Sequence, residues 1–199
     1  MPIRVIVKQI IFLLSGLLFS VFSYAQETLL VDNPHSNVRF EVGWEDFSMR
    51  TGEFKIFEGS IVTESRNDLS DAEFKFKVDA SSVDVIADRL AGHIKSEKFL
   101  DVENYPEITY AAEGAKQLSD STFLTKGMLT IHGVENEQEA LIWIKGEKET
   151  RRGFIYGIQV SLTVNRTEFG LDWGSPRLAE NIKIVGHLLY KMKPEETEE

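Results

Sequence analysis

The residue types that most often carry out chemistry are present in this chain, but their spacing matches no familiar catalytic or metal-binding motif. Each of the four histidines stands alone, without the paired spacing of a zinc site. The absence of cysteine excludes disulfides, thiolate ligands and cysteine nucleophiles. No serine-hydrolase elbow, phosphate-binding loop or dinucleotide fingerprint is found. We therefore predict a protein that is not an enzyme and that has no metal site and no cofactor.

Two polar side chains are candidates for contact with the head of an amphiphilic ligand. His93 lies in a segment of helical spacing and could donate a hydrogen bond to a ligand oxygen. Arg166 follows a long predicted strand and is the strongest candidate for pairing with an anionic head, ahead of Arg177 and the pair at 151–152. The alternatives are a backbone hydrogen bond for His93 and an ion pair at the strand end for Arg166. A weaker alternative is a hydrolase or isomerase that uses His93 with a pocket carboxylate.

Aromatic residues recur at every second position in short runs. In residues 38–44 and 72–78, apolar side chains alternate with polar ones, which is the period of a strand with one dry face. Side chains on that face could form the core of a curled sheet or the wall of a cavity inside it. The predicted lining residues are Phe40, Trp44, Phe54, Phe74, Phe76, Phe99, Trp143, Tyr156 and Phe169. Strand register decides which of them face inward.

The same alternation continues through most of the chain and predicts an all-β fold. Weaker or longer runs bring the expected number of strands to eight to ten, with turns predicted at 66–68 and 135–137. A closed antiparallel β-barrel fits this pattern. Closure of the sheet also suits a chain without disulfides, because a barrel leaves no exposed sheet edge.

Residues 82–100 break the two-residue period. Val83 and Leu90 belong to a series of apolar residues at near-helical spacing, with Ser81 or Ser82 as a predicted N-cap. We predict a short helical insertion between two strands. It would either cover one end of the barrel or pack against the outside.

The N-terminus has the features of a secretion signal. Arg4 and Lys8 precede the apolar run 10–22, and small residues at 23 and 25 favour cleavage after Ala25. We therefore predict a periplasmic or secreted protein, with an uncleaved N-terminal anchor as the alternative. No later run approaches the roughly 20 apolar residues of a spanning helix, so no stable membrane insertion is expected after the signal is removed.

The remaining chain has the length of one domain, at residues 26–193, followed by an acidic disordered tail at 194–199. The formal net charge is −10, and loss of the two basic residues in the signal makes it −12. A surface of this charge repels phosphate backbones, so nucleic-acid binding is not expected.

Five segments of the chain, taken together and in this order, resemble one protein family. They are 32–36 (DNPHS), 52–59 (GEFKIFEG), 92–106 (from GHIKSEKFLDV to YP), 127–134 (GMLTIHGV) and 165–170 (NRTEFG). The family is the YceI-like family of lipocalin-like, isoprenoid-binding periplasmic proteins. The resemblance covers nearly the whole mature chain.

The resemblance implies an extended eight-stranded antiparallel, lipocalin-like β-barrel whose lumen holds a long polyisoprenoid, such as a quinone or a prenyl phosphate. Trp44 stands where many family members have a histidine, and Leu90 and Ala91 replace an Arg-Asp pair. The expectation is therefore firmer for the tail of the ligand than for its head. An isoprenoid lipid or quinone is the expected partner, and a homodimer is left open. The remaining alternative is a structural or interaction protein with a filled barrel.

Overall fold

The computed structural model describes residues 26–151 and 153–192, which form eleven β-strands, one α-helix and three short 3-10 turns. The strands are β1 (Glu27–Val31), β2 (Asn37–Trp44), β3 (Ser48–Phe54), β4 (Phe57–Thr63), β5 (Glu73–Asp79), β6 (Val83–Val85), β7 (Glu107–Ser119), β8 (Thr122–Ile131), β9 (Val134–Thr150), β10 (Gly153–Asn165) and β11 (Leu178–Met192). The helix, α1, spans Asp88–Lys95. The predicted signal peptide, Arg152 and the predicted acidic tail lie outside the described residues. Within these ranges, no helix is long and apolar enough to cross a membrane.

Eight strands form a closed antiparallel barrel. The order around the ring is β1-β4-β5-β7-β8-β9-β10-β11, and β11 pairs back with β1, where Leu29 lies opposite Met192 and Val31 opposite Tyr190. Closure gives every strand of the ring two neighbours, so the ladder hydrogen bonds have partners on both sides. The predicted all-β fold with an eight-stranded antiparallel barrel is confirmed.

Residues 32–36 interrupt the extended chain between β1 and β2. Before this break β1 pairs with β4 and β11, and after it β2 pairs with β11 and β3. Between β1 and β2 the chain forms the 3-10 turn Asn33–His35. Asp32 Oδ2 lies 2.7 Å from both His35 Nδ1 and Lys191 Nζ, and the Ser36 hydroxyl accepts the Leu189 N–H at 2.9 Å. The hydrogen bond from Lys191 is the main reason that the pKa of Asp32 lies below its usual value. These contacts fix the break against β11.

Beyond the break, the chain builds a three-stranded extension of the sheet that we call the flap (β2, β3 and β6). β2 pairs with β11 from Asn37 opposite His187 to Trp44 opposite Leu178. β3 pairs with β2 on one side and with β6 on the other. α1 follows β6 directly, so the flap and the helix together lie over one end of the barrel.

The predicted helical insertion is confirmed, but its predicted start is wrong. Val83–Val85 forms β6 and pairs with β3, because β-branched residues at alternate positions fit a strand better than a helix. The helix begins only at Asp88, and its N-cap residue Ala87 makes no side-chain capping bond. The predicted serine cap is replaced by Asp79, whose carboxylate accepts the Ser81 N–H at 2.8 Å in the preceding 3-10 turn.

The turn predicted at 135–137 is also wrong, since these residues belong to β9. Glu135 lies opposite Thr130, in the second pair from the hairpin end of the β8–β9 ladder. The chain reverses instead at His132 and Gly133, whose φ values of 52° and 74° are both left-handed. Two consecutive left-handed residues make the tight hairpin turn that matches the twist of antiparallel strands.

The end of the barrel opposite the flap is packed solid. Leu29, Phe123 and Tyr156 are fully buried there. The Tyr156 hydroxyl donates to the Arg66 carbonyl at 2.7 Å, and Arg66 Nε lies 3.1 Å from the Glu27 carboxylate. The loop after β4 is thereby held across the barrel end, which closes it.

Two glycines of the family-like segment 52–59 make room for aromatic rings. A Cβ at Gly52 would lie 2.4 Å from Cζ of Phe40, and a Cβ at Gly59 would lie 2.5 Å from Cδ2 of Phe76. Contacts below 3.0 Å are not tolerated without movement of the neighbour. The small residue and the large ring on adjacent strands therefore fit together as a pair.

We expect the substitution Gly59→Ala to destabilise the protein by about 1–3 kcal/mol, because overpacking forces the Phe76 ring and the backbone to shift. Gly92→Ala is the matched control. Gly92 lies in α1 with no neighbouring heavy atom within 4 Å of an added Cβ, so alanine should raise stability by about 0.5–1 kcal/mol through helix propensity. Urea unfolding of both variants measures the difference, and equal midpoints would contradict the assignment.

Candidate functional site

A cavity of about 390 Å³ occupies the barrel lumen between the packed end and the flap. This volume lies in the range of small-molecule sites, roughly 300–1,000 Å³. Seven of the predicted site residues line it: Phe40, Trp44, Phe54, Phe74, Phe76, His93 and Phe99. The barrel is therefore hollow, which contradicts the alternative of a completely filled core.

The cavity is long and its wall is apolar. On β11 the lining runs from Ile182 through Ile184 and Leu188 to Tyr190, and at ~3.3 Å per residue these eight steps extend over roughly 26 Å of strand. Ile142 of β9 continues the same wall. A space of this shape suits a thin hydrocarbon chain better than a compact ligand.

Two polar groups of the wall already have protein partners. The Tyr110 hydroxyl donates to the Gln138 carbonyl at 3.1 Å, and the Thr125 hydroxyl donates to the Gly114 carbonyl at 2.7 Å. Burial raises the pKa of Tyr110 to about 12, so its hydroxyl stays protonated and keeps this bond at neutral pH. A ligand therefore does not need to supply hydrogen bonds to these two hydroxyls.

The cavity opens at the flap end. Arg50, Thr51, Ala87 and Trp173 are lining residues that are also exposed to solvent, and they belong to the flap, the segment before α1 and the loop before β11. We call the opening bounded by these residues and Trp44 the mouth.

Two arginines lie against the Trp44 ring at the mouth. The guanidinium carbons of Arg50 and Arg177 are 5.2 Å and 5.0 Å from the ring centroid, within cation–π distance. Arg177 also pairs with the Glu45 carboxylate, whereas Arg50 makes no ion pair with any described residue. Trp44 therefore contacts two cations, and one of them, Arg50, lines the cavity.

His93 lies on α1 and faces the cavity beside Trp173. The two ring centroids are 3.9 Å apart. Nε2 of His93 is buried but has no hydrogen-bond partner among the residues at 26–151 and 153–192. A buried polar atom without a partner is costly, so His93 has an unused hydrogen-bonding position beside the cavity.

Within the described part of the chain, no aspartate or glutamate lines the cavity. The pocket carboxylate that the hydrolase or isomerase hypothesis requires beside His93 is therefore not found there. The chemistry that the cavity offers is enclosure of an apolar chain and hydrogen bonding at its mouth.

Three predicted aromatic residues lie away from the cavity. Trp143 is on the opposite face of β9 from Ile142, and it is half-buried on the outside of the barrel. Tyr156 belongs to the packed end, with its hydroxyl on the Arg66 carbonyl. Phe169 belongs to the loop that follows β10, and it is buried in an apolar cluster with Val164 and Leu171.

Arg166 does not line the cavity either, although it is fully buried. Its guanidinium donates to the carbonyls of residues 171, 173, 178 and 179 and to the Ser175 hydroxyl. These bonds use all five of its N–H donors. Burial lowers the pKa of Arg166, but a guanidinium remains charged at neutral pH. The side chain organises the loop that carries Trp173, and no donor is left for a ligand head.

Sequence reasoning missed Arg50, Trp173 and Tyr110 as lining residues. Tyr110 lies between Ile108 and Ala112 in a run of strand-like alternation, so alternation alone could have placed it. Arg50 and Trp173 had no such signal, because they reach the mouth from a polar strand and an irregular loop. Their position depends on contacts between segments far apart in sequence.

The fold and the site define a class of protein: a hollow, closed, eight-stranded antiparallel barrel with a helix beside the mouth of an apolar cavity. Residues 30–188 match the family model described as the YceI-like domain. The chain belongs to this family, and the resemblance noted in the sequence is confirmed.

The sequence identity to individual relatives is lower than 30% in the two examples that follow. Protein YceI of Salmonella newport (strain SL254) is 29% identical over 125 residues, which are 62% of this chain and 64% of that protein. The UPF0312 protein PputW619_0484 of Pseudomonas putida (strain W619) is 27% identical over 143 residues, or 70% of this chain and 73% of that protein. The chain thus spans slightly less than two thirds of the length of the Salmonella relative.

Solved structures show the same fold. Burkholderia cenocepacia BcnA superposes with a TM-score of 0.73 at 17% identity, covering 80% of this chain and 98% of that one. A polyisoprenoid binding domain from Saccharophagus degradans, implicated in plant cell wall breakdown, gives a TM-score of 0.64 at 15% identity, covering 83% and 98%. At these identities the likeness concerns the fold alone.

Proposed function

We propose that this protein binds an amphiphilic isoprenoid, of the quinone or prenyl phosphate type, in its barrel lumen and sequesters or carries it. The observation that carries the proposal is the long apolar cavity, open at one end. Membership of the YceI-like family and the polyisoprenoid binding domain among its structural neighbours support the same ligand class.

The size of the cavity is sufficient for useful affinity. Each buried methylene-sized group contributes about 0.8 kcal/mol, so about ten enclosed carbons give on the order of 8 kcal/mol before ordering costs. That gross value corresponds to roughly micromolar binding. The protein therefore does not need to enclose the whole tail of a long isoprenoid.

The head of the ligand is proposed to lie at the mouth, with the tail directed toward the packed end. His93 Nε2 lacks a partner, and Arg50 is the cationic group that lines the cavity at the mouth. Quinone carbonyls and phosphate oxygens are both hydrogen-bond acceptors, so either head fits these groups. The opposite orientation would place an oxygen against Ile142 and Leu188.

A periplasmic or secreted location is part of the proposal. It is supported by the basic residues and the apolar run of segment 1–25.

The test is gentle extraction of freshly purified mature protein followed by mass spectrometry, together with uptake of a quinone analogue. Recovery of an isoprenoid lipid and saturable uptake are expected. If neither is observed, the proposed function is wrong.

The placement of the head is tested with His93→Leu. Loss of one hydrogen bond should weaken binding of the quinone analogue about 3- to 10-fold. Binding of an isoprenoid hydrocarbon without a polar head should not weaken, because it never used the imidazole. Equal loss for both ligands would show that His93 acts through packing instead.

A further inference from the structure

Three large apolar side chains are exposed around the mouth of the cavity. Ile86 is 100% exposed, Phe47 95% and Trp173 42%. We call this set the rim. Scattered exposed apolar residues are ordinary, but a cluster around the opening of an apolar cavity is not.

The rim is one surface, because contacts join the three segments that carry it. The Glu45 N–H at the tip of the β2–β3 hairpin donates to the Arg177 carbonyl at 2.8 Å, which links the hairpin to the loop of Trp173. Gly52 lies opposite Val85 in the β3–β6 pairing, which places Ile86 beside the same hairpin. The rim is also continuous with the cavity, since Val85 and Trp173 line it.

The charge of this surface is small. Segments 44–50, 85–90 and 172–178 together contain three arginines and four acidic residues, a formal charge of −1. This charge density is similar to the average over the mature chain, so charge does not set the mouth apart from the other faces. A phosphatidylcholine surface carries no net charge and does not strongly repel any of them, so the exposed apolar side chains decide where the protein attaches.

We propose that the rim docks the mouth on the surface of a phospholipid bilayer, so that cargo moves between the bilayer and the cavity without crossing water. This inference rests on the proposed function, since it assumes a lipid cargo. Aromatic and aliphatic side chains that enter the headgroup region provide the attachment, as they do for other interfacial proteins. A near-neutral surface makes the attachment hydrophobic, with little need for anionic lipid.

The experiment is flotation of the full mature protein with phosphatidylcholine vesicles. Phe47→Ser and Ile86→Ser should each weaken vesicle binding about tenfold, and the double variant should weaken it further. Both positions are almost fully exposed, so folding should be unaffected. Leu118→Ser and Met128→Ser are matched controls, because these residues are 50% and 44% exposed on other parts of the barrel. The controls should bind like the wild type.

A second readout separates docking from cargo binding. Rim variants should take up a water-dispersed quinone analogue as the wild type does, but should receive a long-chain isoprenoid from vesicles more slowly. A wild-type protein that takes up the analogue but does not float contradicts the docking proposal alone. A wild-type protein that floats but neither contains nor takes up isoprenoid contradicts the proposed function. It also contradicts the transfer of cargo between the bilayer and the cavity.

Two further outcomes would overturn docking by the rim. Binding that requires anionic lipid and disappears at high salt would show an electrostatic attachment elsewhere on the protein. A dimer in light scattering that Ile86→Ser disperses, without vesicle binding by the wild type, would show that a second copy of the chain covers the rim.

Discussion

Arg166→Ala is expected to lower the free energy of unfolding by about 3–5 kcal/mol, a large part of the total for a single domain. The substitution removes the side chain that bonds the carbonyls of Leu171, Trp173, Leu178 and Ala179 together. Each buried acceptor left without a partner costs about 1–3 kcal/mol, and water recovers part of this near the exposed loop. The shift of the urea midpoint measures the effect.

Two other variants test whether geometry or charge matters at this position. Arg166→Lys keeps the charge but offers at most three donors for five acceptors, so we expect an intermediate loss. Arg177→Ala removes an arginine whose side chain is 64% exposed, and it should leave the midpoint nearly unchanged. A near-wild-type midpoint for Arg166→Ala would show that the loop does not depend on the guanidinium.

Phe76→Glu is expected to reduce uptake of a quinone analogue by at least about 100-fold. Phe76 lines the cavity and its ring stacks on Phe57 with centroids 5.8 Å apart, so a carboxylate there would have to lie among hydrocarbon groups. Burying a charge without a partner costs several kcal/mol, and each 1.4 kcal/mol is about tenfold in affinity. Titration of the analogue into folded protein measures the change.

The control for this prediction is Trp143→Glu. It places the same charge at an aromatic position that lies on the outer face of β9, so uptake should be retained. Phe76→Leu, which keeps the site apolar, should also retain uptake and shows that the position tolerates change. Uptake by a folded Phe76→Glu protein would exclude Phe76 from the binding site.

The comparison of Phe76 with Trp143 also shows how far the sequence could predict the site. Alternation identified the strands, and seven of the eleven candidate site residues lie on the cavity wall. Trp143 sits on a strand whose inward face is marked by Ala140 and Ile142, so its outward position follows from register. Trp143 is predicted as a lining residue only because it is aromatic, against the alternation of its strand.

The remaining differences come from contacts that are distant in sequence. Arg166 was predicted to meet a ligand head because it ends a strand in a family motif, but a folded loop of its own chain takes all of its donors. The extent of the cavity could not be predicted, since Tyr156 and Phe123 fill one end while Phe40 and Phe76 leave space near the other. Which aromatic side chains fill the lumen depends on how the barrel closes.

The break at residues 32–36 divides the sheet into two parts with separate tasks. The ring of eight strands is closed by β1 and keeps its ladder whatever the flap does, whereas β2, β3 and β6 form a separate three-stranded module attached along β11. Lengthening or shortening the β2–β3 hairpin would therefore change the width of the entrance without breaking a bond in the ring. Related chains could in this way bind ligands of different width within the same eight-stranded ring.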